Sequence, residues 1–377
     1  MENKKNHLEH FSKIEDPRVQ GRVLHPSVNI IYITITASLC GVSGWEEIED
    51  FAESRIEFFS KMLDLSNGIP SHDTINRFFQ IIDKKMFARC FADWVSEIAK
   101  KIDNQTISID GKTIRCSSKM SNEALPIHII SAWSNENQMT IGQVALEWQR
   151  DMDKQENEIL AIPKLLDALD VEGSVITMDA IGTQAKIAEQ IVKNKADYVL
   201  SVKENQKTLH DDIERYFSKQ NNYEQKVEED FGHGRIEKRT YQYSLDLSYL
   251  STSEKWSNIQ GIVKVNNLII NKKTGEQTSE DRYFITTLRD INQVAKSVRS
   301  HWVVEGMHWT LDVIFNEDNS TKREANAAYN YDIVRKMAMN MLKNDEYNHG
   351  KKKLSIRRKM LKAILDEKYL LHLLSKL

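Results

Sequence analysis

Two short apolar runs in this chain each end on an aspartate, Thr106-Ile-Ser-Ile-Asp110 and Ser174-Val-Ile-Thr-Met-Asp179. In an extended chain, alternate side chains point to opposite faces. Ile107 and Ile109 therefore share one face, with Thr106, Ser108 and Asp110 on the other. In the second run Val175, Thr177 and Asp179 share a face. A carboxylate at the end of a buried strand is costly unless it opens on a cleft, is paired, or binds a metal. A fold for this sequence has to bring two acids to a sheet edge and give them a partner.

The surroundings of the two runs predict the rest of that sheet. Pro126–Trp133 and Met139–Leu146 read as the second and third strands of a meander, and Asp197–Val202 as a further strand. Helical patterns over Ile159–Leu169 and Lys186–Asn194 alternate with them, which predicts a mixed α/β sheet rather than a pure βαβ repeat. Residues 220–290 are again strand-like. Helices return from Ile291, through Ser297–Leu311 and Glu324–Leu342. The first hundred residues are read as all-helical. There a charge-free stretch, Val23–Trp45, ends at Gly41 and Gly44, and an amphipathic segment follows from Trp45. Asn67-Gly68-Ile69-Pro70 breaks the chain, and Ser71 or Asp73 can cap a helix over Thr74–Ile82. That helix exposes Asn76 and Arg77, so the pair around the break is either a helix-turn-helix that reads DNA or plain helical packing. The expected organisation is a helical N-terminal domain (1–100) with possible DNA-end binding, an α/β domain (101–345) with a β-rich insertion at about 220–290, and a basic amphipathic C-terminal helix (346–377).

Composition narrows the class. There are 14 Gly and 5 Pro in 377 residues, well under the averages of about 7% and 5%, so the chain has few punctuators. The 52 basic and 55 acidic residues leave a formal charge of −3. Disorder, collagen and a polybasic nucleoprotein are excluded, while an enzyme acting on nucleic acid needs its positive charge gathered locally. Cys40, Cys90 and Cys116 form no CxxC pair, which fits a reducing cytosol. Val23–Trp45 carries His25, Pro26, Ser27, Asn29, Thr34, Thr36 and Ser38, and is read as a buried helix rather than a membrane span. No signal peptide is expected at the N-terminus.

A third acid, Glu305, lies in Val298-Arg-Ser-His-Trp-Val-Val-Glu-Gly-Met-His-Trp309. Two strand-end carboxylates and one on a helix are the minimal frame for two hard divalent ions, which take oxygen ligands and serve phosphodiester cleavage. Spacing alone is a weak signal in so acidic a chain. Other chemistries find less support. Gly111-Lys112-Thr113 imitates the end of a P-loop, but Thr106 stands where its first glycine belongs. HExxH and GxSxG are missing, and the strand rhythm of a glycosidase is too.

Several motifs occur in order: Ile109-Asp-Gly-Lys-Thr-Ile-Arg115, Glu158-Ile-Leu-Ala-Ile-Pro-Lys-Leu-Leu166, Ile176-Thr-Met-Asp-Ala180, Val202-Lys-Glu-Asn-Gln206, Gly232-His-Gly-Arg235, Arg299-Ser-His-Trp302 and Asn316-Glu-Asp318. Together they resemble the H-repeat-associated transposases of bacterial insertion sequences, a branch of the DDE transposases. Trp45–Phe51 and Gly68–Thr74 are similar to that family's helical leading segment. The resemblance covers nearly the whole chain. It implies an RNase H-like core, a catalytic and metal-binding triad of Asp110, Asp179 and Glu305, and two Mg²⁺ or Mn²⁺ ions. It further implies that the strands at 220–290 are an insertion ahead of the glutamate helix. One departure stands out. The family pattern has one more residue between the glutamate and the His-Trp pair than Glu305-Gly-Met-His308-Trp309 does. On a helix one residue is a rotation of about 100°, so His308, Trp309 and Asp312 are expected to turn relative to Glu305 unless the helix bulges or Gly306 kinks it.

Neighbouring residues have both a DNA-binding and a structural reading. Lys112, Arg115, Lys203, Asn205, Gln206, Arg299, His301 and Arg77 are the expected DNA contacts. Trp302 fits core better than base stacking, and His308 fits orientation of a neighbouring group. Glu317 and Asp318 are rival third ligands. Lys351–Lys362 collects seven basic residues without an acid, which suits either a phosphate backbone or a packed amphipathic helix. The expected function is metal-dependent hydrolysis and strand transfer at element ends. The alternative is a transposon-derived DNA-binding protein that has lost catalysis. The expected partners are terminal inverted repeats and target DNA, no membrane, and a second copy in a homodimer on paired ends. The expected location is the bacterial cytosol, in association with the nucleoid.

Overall fold

The computed structural model describes residues 9–12, 14–19, 21, 23–115, 117, 126–149, 154–155, 157–232, 234–350 and 353–377. Of the residues singled out above, Cys116, His233, Lys351 and Lys352 lie outside these.

Helices α1 (Glu9–Ser12), α2 (Ser27–Leu39), α3 (Trp45–Ser54), α4 (Ile56–Ser60), α5 (His72–Ile81) and α6 (Lys84–Ile98) come first. α2 is the charge-free segment. It is buried from Asn29 to Leu39, as an all-round apolar helix must be. Its Thr34 and Thr36 hydroxyls each donate to a carbonyl one turn back, at 2.7 Å. Among the described residues no helix is long and apolar enough to cross a membrane. Ser71 caps α5 by accepting from the Thr74 amide, as its place after the Gly-Pro break predicts.

The sheet elements follow: β1 (Thr106–Thr113), β2 (His128–Ser134), β3 (Met139–Ala145), the short pair β4 (Trp148–Gln149) and β5 (Lys154–Gln155), α7 (Glu158–Ala168), β6 (Val175–Met178), α8 (Ala185–Lys193), β7 (Asp197–Val202) and α9 (Lys207–Lys219). Then come β8 (Glu224–Gly232), β9 (Arg235–Ser244), β10 (Gly261–Asn271) and β11 (Gln277–Thr286). The chain ends in helices α10 (Ile291–His301), α11 (Val303–Val313), α12 (Ala325–Lys343), α13 (Ile356–Leu365) and α14 (Glu367–Leu374).

Nine strands form one sheet in the order β3-β2-β1-β6-β7-β11-β10-β9-β8. β1, β6 and β7 run parallel and the other pairings are antiparallel. The β-rich stretch therefore interrupts the chain but not the sheet, because β11 pairs directly with β7, Phe284 opposite Ser201. α7, α8 and α9 cover one face through Ile107, Ile109, Leu165, Ile187 and Ile213. α10 covers the other with Val294 and Val298 against Val175, Val199 and Tyr241.

α12 joins the leading helices to the sheet. It is buried from Ala327 to Leu342, and its polar residues are spent on backbone groups. The Asn330 amide donates to Phe79 O at 3.0 Å and Ile82 O at 3.1 Å. Asn340 brackets Thr140 of β3, accepting from its N–H at 3.0 Å and donating to its carbonyl at 2.8 Å. The helices before residue 99 thus share one core with β2, β3, α11, α12 and the C-terminal helices.

Two helices differ from expectation. The segment Ser297–Leu311 is interrupted at Trp302, which separates α10 from α11. The C-terminal segment is two helices rather than one. Asp366 ends α13 and caps α14, accepting from the Tyr369 amide at 3.1 Å.

Candidate active site

The parallel pairing of β1 with β6 sets Ile107 beside Ile176 and Ile109 beside Met178. One residue further on, where the β1–β6 pairing ends, Asp110 within β1 and Asp179 just past β6 come next in register. On the polar face beneath them Ser108, Thr177 and His301 are linked. The Thr177 hydroxyl donates to Ser108 Oγ at 3.0 Å, and His301 Nδ1 lies 3.2 Å from the same Thr177 oxygen. One oxygen of each aspartate is tied to backbone. Asp110 Oδ1 accepts from Gly111 N at 2.9 Å, and Asp179 Oδ1 from Ile181 N at 3.1 Å.

α11 crosses this face. It carries Glu305 in its first turn, His308 one turn later and Asp312 a turn beyond, a spacing that puts all three on one side. His308 Nδ1 is 3.5 Å from Asp110 Oδ2, and Asp312 takes the ammonium of Lys112. The helix runs unbroken through Gly306, whose carbonyl accepts from the Thr310 hydroxyl at 2.7 Å. No bulge or kink at Gly306 absorbs the one-residue difference, so His308 and Asp312 take the rotation relative to Glu305 that a regular helix dictates. A spacing of three residues keeps Glu305 and His308 on one side as four would, and the interruption falls at Trp302.

The electrostatics are those of an uncompensated acidic centre. Burial, then the charges of Asp179, Glu158 and Glu305, pushes Asp110 up to about 7. Asp179 is also raised, by burial and then by Glu158, with Lys203 opposing. Among the described residues neither aspartate nor Glu305 is ion-paired with a lysine or arginine. Half-buried carboxylates of like charge without a lysine or arginine partner suit a hard divalent cation; among the described residues the groups whose ligand atoms converge closely enough to hold one are His210, Asp211 and Glu214, and Asp312, Glu317 and Asp318.

The expected DNA contacts divide. Lys203 is exposed and lines a cavity of about 550 Å³ beside Asp179. Arg299 is exposed and pairs with Asp230 at 2.6 Å. Arg115 is exposed, with Asp318 at 3.4 Å, and Arg77 is exposed on α5, with Asp73 at 3.6 Å.

Four others have side-chain partners within the protein, although Asn205 is exposed and lines the same cavity as Lys203. Lys112 is held by Asp312 and Glu317, because burial leaves its ammonium no water and two carboxylates supply the partners. His301 is enclosed beside Thr177, and burial lowers it to about 4, so it is neutral and carries no charge for a phosphate. Asn205 donates to Ala180 O at 2.6 Å and Gln206 to Thr183 O at 3.0 Å. Those two amides brace the loop that follows Asp179. The rival ligands are engaged as well. Asp312, Glu317 and Asp318 converge closely enough to hold an ion, but Lys112 and Arg115 occupy that position.

Sequence reasoning missed three groups. Glu158, in the first turn of α7, reaches the strand ends from the opposite face, with Oε1 2.7 Å from His128 Nε2. Its signal was an Asn-Glu pair opening an apolar helix. The guanidiniums of Arg282 on β11 and Arg239 on β9 lie over the Trp302 ring, 4.9 and 5.3 Å from its centre. Arg282 lines both the cavity at Asp179 and a second one of about 420 Å³ that contains Arg235, Arg299 and Glu305. Trp309, 58% exposed on α11, is the third. The arginines come from strands whose pairing partners are not readable from the sequence alone.

Two half-buried aspartates on neighbouring parallel strands, with a helix glutamate and arginines nearby, suit phosphodiester chemistry. Residues 102–341 match the family model "Transposase DDE domain", and residues 8–95 match "DDE_Tnp_1-associated". The chain belongs to the DDE transposase family. It is 36% identical over 377 residues to the Escherichia coli K12 protein named "H repeat-associated putative transposase YhhI", covering 98% of this chain and 97% of that one. It is 36% identical to "Putative transposase YncI" of E. coli O157:H7, over 96% of this chain and 93% of that one. The short E. coli K12 protein "Inactive transposase YbfQ" is 46% identical over 70 residues, 19% of this chain and 83% of its own length.

Proposed function

We propose that this insertion-sequence transposase cuts DNA at the ends of its element and joins the freed ends to target DNA, using an RNase H-like centre built from Asp110, Asp179 and Glu305. The observation that carries the reading is the placement of Asp110 and Asp179 next in register to the β1–β6 pairing, under the α11 face that bears Glu305 and His308. Asp110 and Asp179 would hold the metal, Mg²⁺ or Mn²⁺, with Glu305 completing its ligands. Two such ions supply Lewis acidity to the attacking and leaving oxygens of the phosphodiester.

The chain's own groups position the reactants. The Ile181 and Gly182 amides fix Asp179, and Asn205 and Gln206 fix the loop that provides them. His308 stands against Asp110 without adding charge, since burial lowers it to about 3. Lys203, Arg282 and Arg299 flank the centre and suit a phosphate backbone. In the first reaction water attacks phosphorus and the P–O3′ bond breaks, leaving a 3′-hydroxyl and a 5′-phosphate. In the second that 3′-oxygen attacks a target phosphodiester, forming one bond and breaking one, with no covalent protein intermediate. Support for an active enzyme over a DNA-binding remnant comes from α11, where His308 meets Asp110 and Glu305 lies three residues earlier on the same side of the helix. Terminal inverted repeats as ligand, a homodimer on paired ends, and a place on the nucleoid belong to the same reading.

The test is incubation of the purified protein with DNA carrying its own element ends and Mg²⁺ or Mn²⁺. Cleavage that is lost in Asp110→Ala, Asp179→Ala and Glu305→Ala supports the reading. Tight, specific binding with no nick in either metal leaves the DNA-binding remnant instead.

A further inference from the structure

We propose that the cavity beside Glu305 seats a phosphodiester of the bound DNA at Arg239 and Arg299, and that Asp230 competes with it for both guanidiniums; the proposal rests on the DNA-cleaving reading above. The cavity, of about 420 Å³, is lined in part by Arg235, Arg239, Arg282, Arg299, Trp302 and Glu305. Four arginines stand there against two carboxylates, those of Glu237 and Glu305, and in the reading above Glu305 is given to a metal. Guanidinium matches the oxygens of a phosphate in both charge and geometry. The arginines come from β9, β11 and α10. The inserted strands and the helix ahead of the glutamate therefore build this place together.

Arg239 shows that the site is made for an anion. The residue is 3% exposed, and its guanidinium shares the Trp302 ring with that of Arg282. Nη1 donates to Asp230 and Nη2 to Glu237, but the buried Nε has no acceptor. A buried donor left unmet is costly, and the acceptor that suits a cavity of four arginines is an anion's oxygen. Asp230 lies on β8, the edge strand of the sheet, with its side chain 47% exposed. Its Oδ2 alone takes both Arg239 Nη1 and Arg299 Nη2, each at 2.6 Å. It does so from outside the cavity, whose lining does not include it. A half-exposed carboxylate is a weak tie, and a phosphodiester with two free oxygens can replace it. Release of Asp230 lets the Arg239 guanidinium turn its unmet N–H to the incoming oxygen.

The test is binding of the full chain to an element-end duplex in EDTA, read by fluorescence anisotropy, with single phosphates near the cut replaced in turn by a neutral methylphosphonate. The parent is expected to lose affinity at one of these positions. Arg239→Gln and Arg299→Gln are each expected to abolish that loss and to lower the salt slope of binding by about 0.9. Arg299 is exposed, so its variant answers the question should the change at buried Arg239 fold poorly. Asp230→Asn frees both guanidiniums and is expected to bind the unmodified duplex about threefold tighter, a gain that vanishes on the duplex modified at that one position. A gain that persists at every position is a general effect of charge and overturns the competition, as does no gain at all. Equal methylphosphonate losses in the parent and Arg299→Gln overturn the phosphate seat, and specific binding with metal-dependent cleavage then leaves the reading above intact. A parent that binds element ends no better than unrelated DNA overturns that reading, and this proposal with it.

Discussion

Lys112, on the strand that carries the first aspartate, gives its ammonium to Glu317, 205 residues further along the chain and 1% exposed. Its second partner is Asp312 on α11. Glu317 is raised by burial and by the charge of Asp332. Asp332 is lowered in spite of its burial, because Lys336 sits 2.8 Å away. Lys336 in turn reaches Ser131 of β2 at 2.8 Å and Gln143 of β3 at 2.7 Å. A buried polar chain therefore links β1, α11, the 316–319 turn, α12 and the sheet. It fixes α11 at Asp312 while His308 meets Asp110, and two points on one face set the rotation of a helix.

Removing Lys112 leaves two carboxylates in that chain without a cation. Breaking a buried pair from one side costs about 3 kcal/mol or more, so Lys112→Met is expected to lower the thermal midpoint by several degrees. The salt dependence of DNA binding by the folded variant is expected to stay at the parent slope. A stable variant with a shallower slope would show that Lys112 faces phosphate instead.

Gly306 lies within α11, and a Cβ there would meet nothing within 4 Å. Gly in a helix interior is worse than Ala by about 1 kcal/mol. Gly306→Ala is expected to raise stability by up to that amount in urea unfolding, with cleavage of element ends retained. Loss of cleavage with a gain in stability would mean that the glutamate helix has to flex.

Local patterns carried most of the fold. The alternation around Asp110 and Asp179 predicts their strands and faces, and the Gly-Pro break followed by Ser71 predicts α5 to within two residues. What escaped were matters of partnership. Lys112 reads as a cation beside an active-site acid, and only the approach of Glu317 from the far end of the chain turns it inward. Glu158 belongs to a helix on the other face of the sheet, so no spacing connects it to Asp110. The division at Trp302 was hidden because α10 and α11 share one helical pattern, while the two arginines stacked on the ring arrive from β9 and β11.

The C-terminal helices have an acidic switch point at Asp345, whose side chain is fully buried. Burial opposes its ionisation, but hydrogen bonds from His349 at 2.6 Å and Tyr369 at 2.7 Å outweigh that, and its pKa falls from 3.8 to about 2. A carboxyl depressed in the folded state stabilises above its unfolded value and loses that contribution as pH falls through its folded value. The difference is worth about 2 kcal/mol. It is fully present above roughly pH 5 and is lost between about pH 4 and 2. Asp345→Asn is expected to be less stable at pH 7 and to show a weaker acid dependence below pH 4. Parallel stability curves for the two proteins would refute this.

Lys203 and Arg282 edge the cavity at Asp179, whereas the amides of Asn205 and Gln206, two and three residues past Lys203, are bound to Ala180 and Thr183 carbonyls. The two pairs should therefore fail differently. Each phosphate contact contributes about 0.9 to the slope of log affinity against log salt on duplex DNA. Lys203→Ala and Arg282→Ala are each expected to reduce that slope by nearly one unit and to weaken binding across sequences alike. Asn205→Ala and Gln206→Ala remove a donor from a partly buried carbonyl, at about 1 kcal/mol of stability, and leave the slope unchanged. They also free the loop whose Ile181 and Gly182 amides hold Asp179, so cleavage should fall while binding persists. Fluorescence anisotropy on an element-end duplex at several salt concentrations, with cleavage measured on the same DNA, separates the outcomes. An unchanged slope in Lys203→Ala and Arg282→Ala would place the DNA path on another face of the molecule.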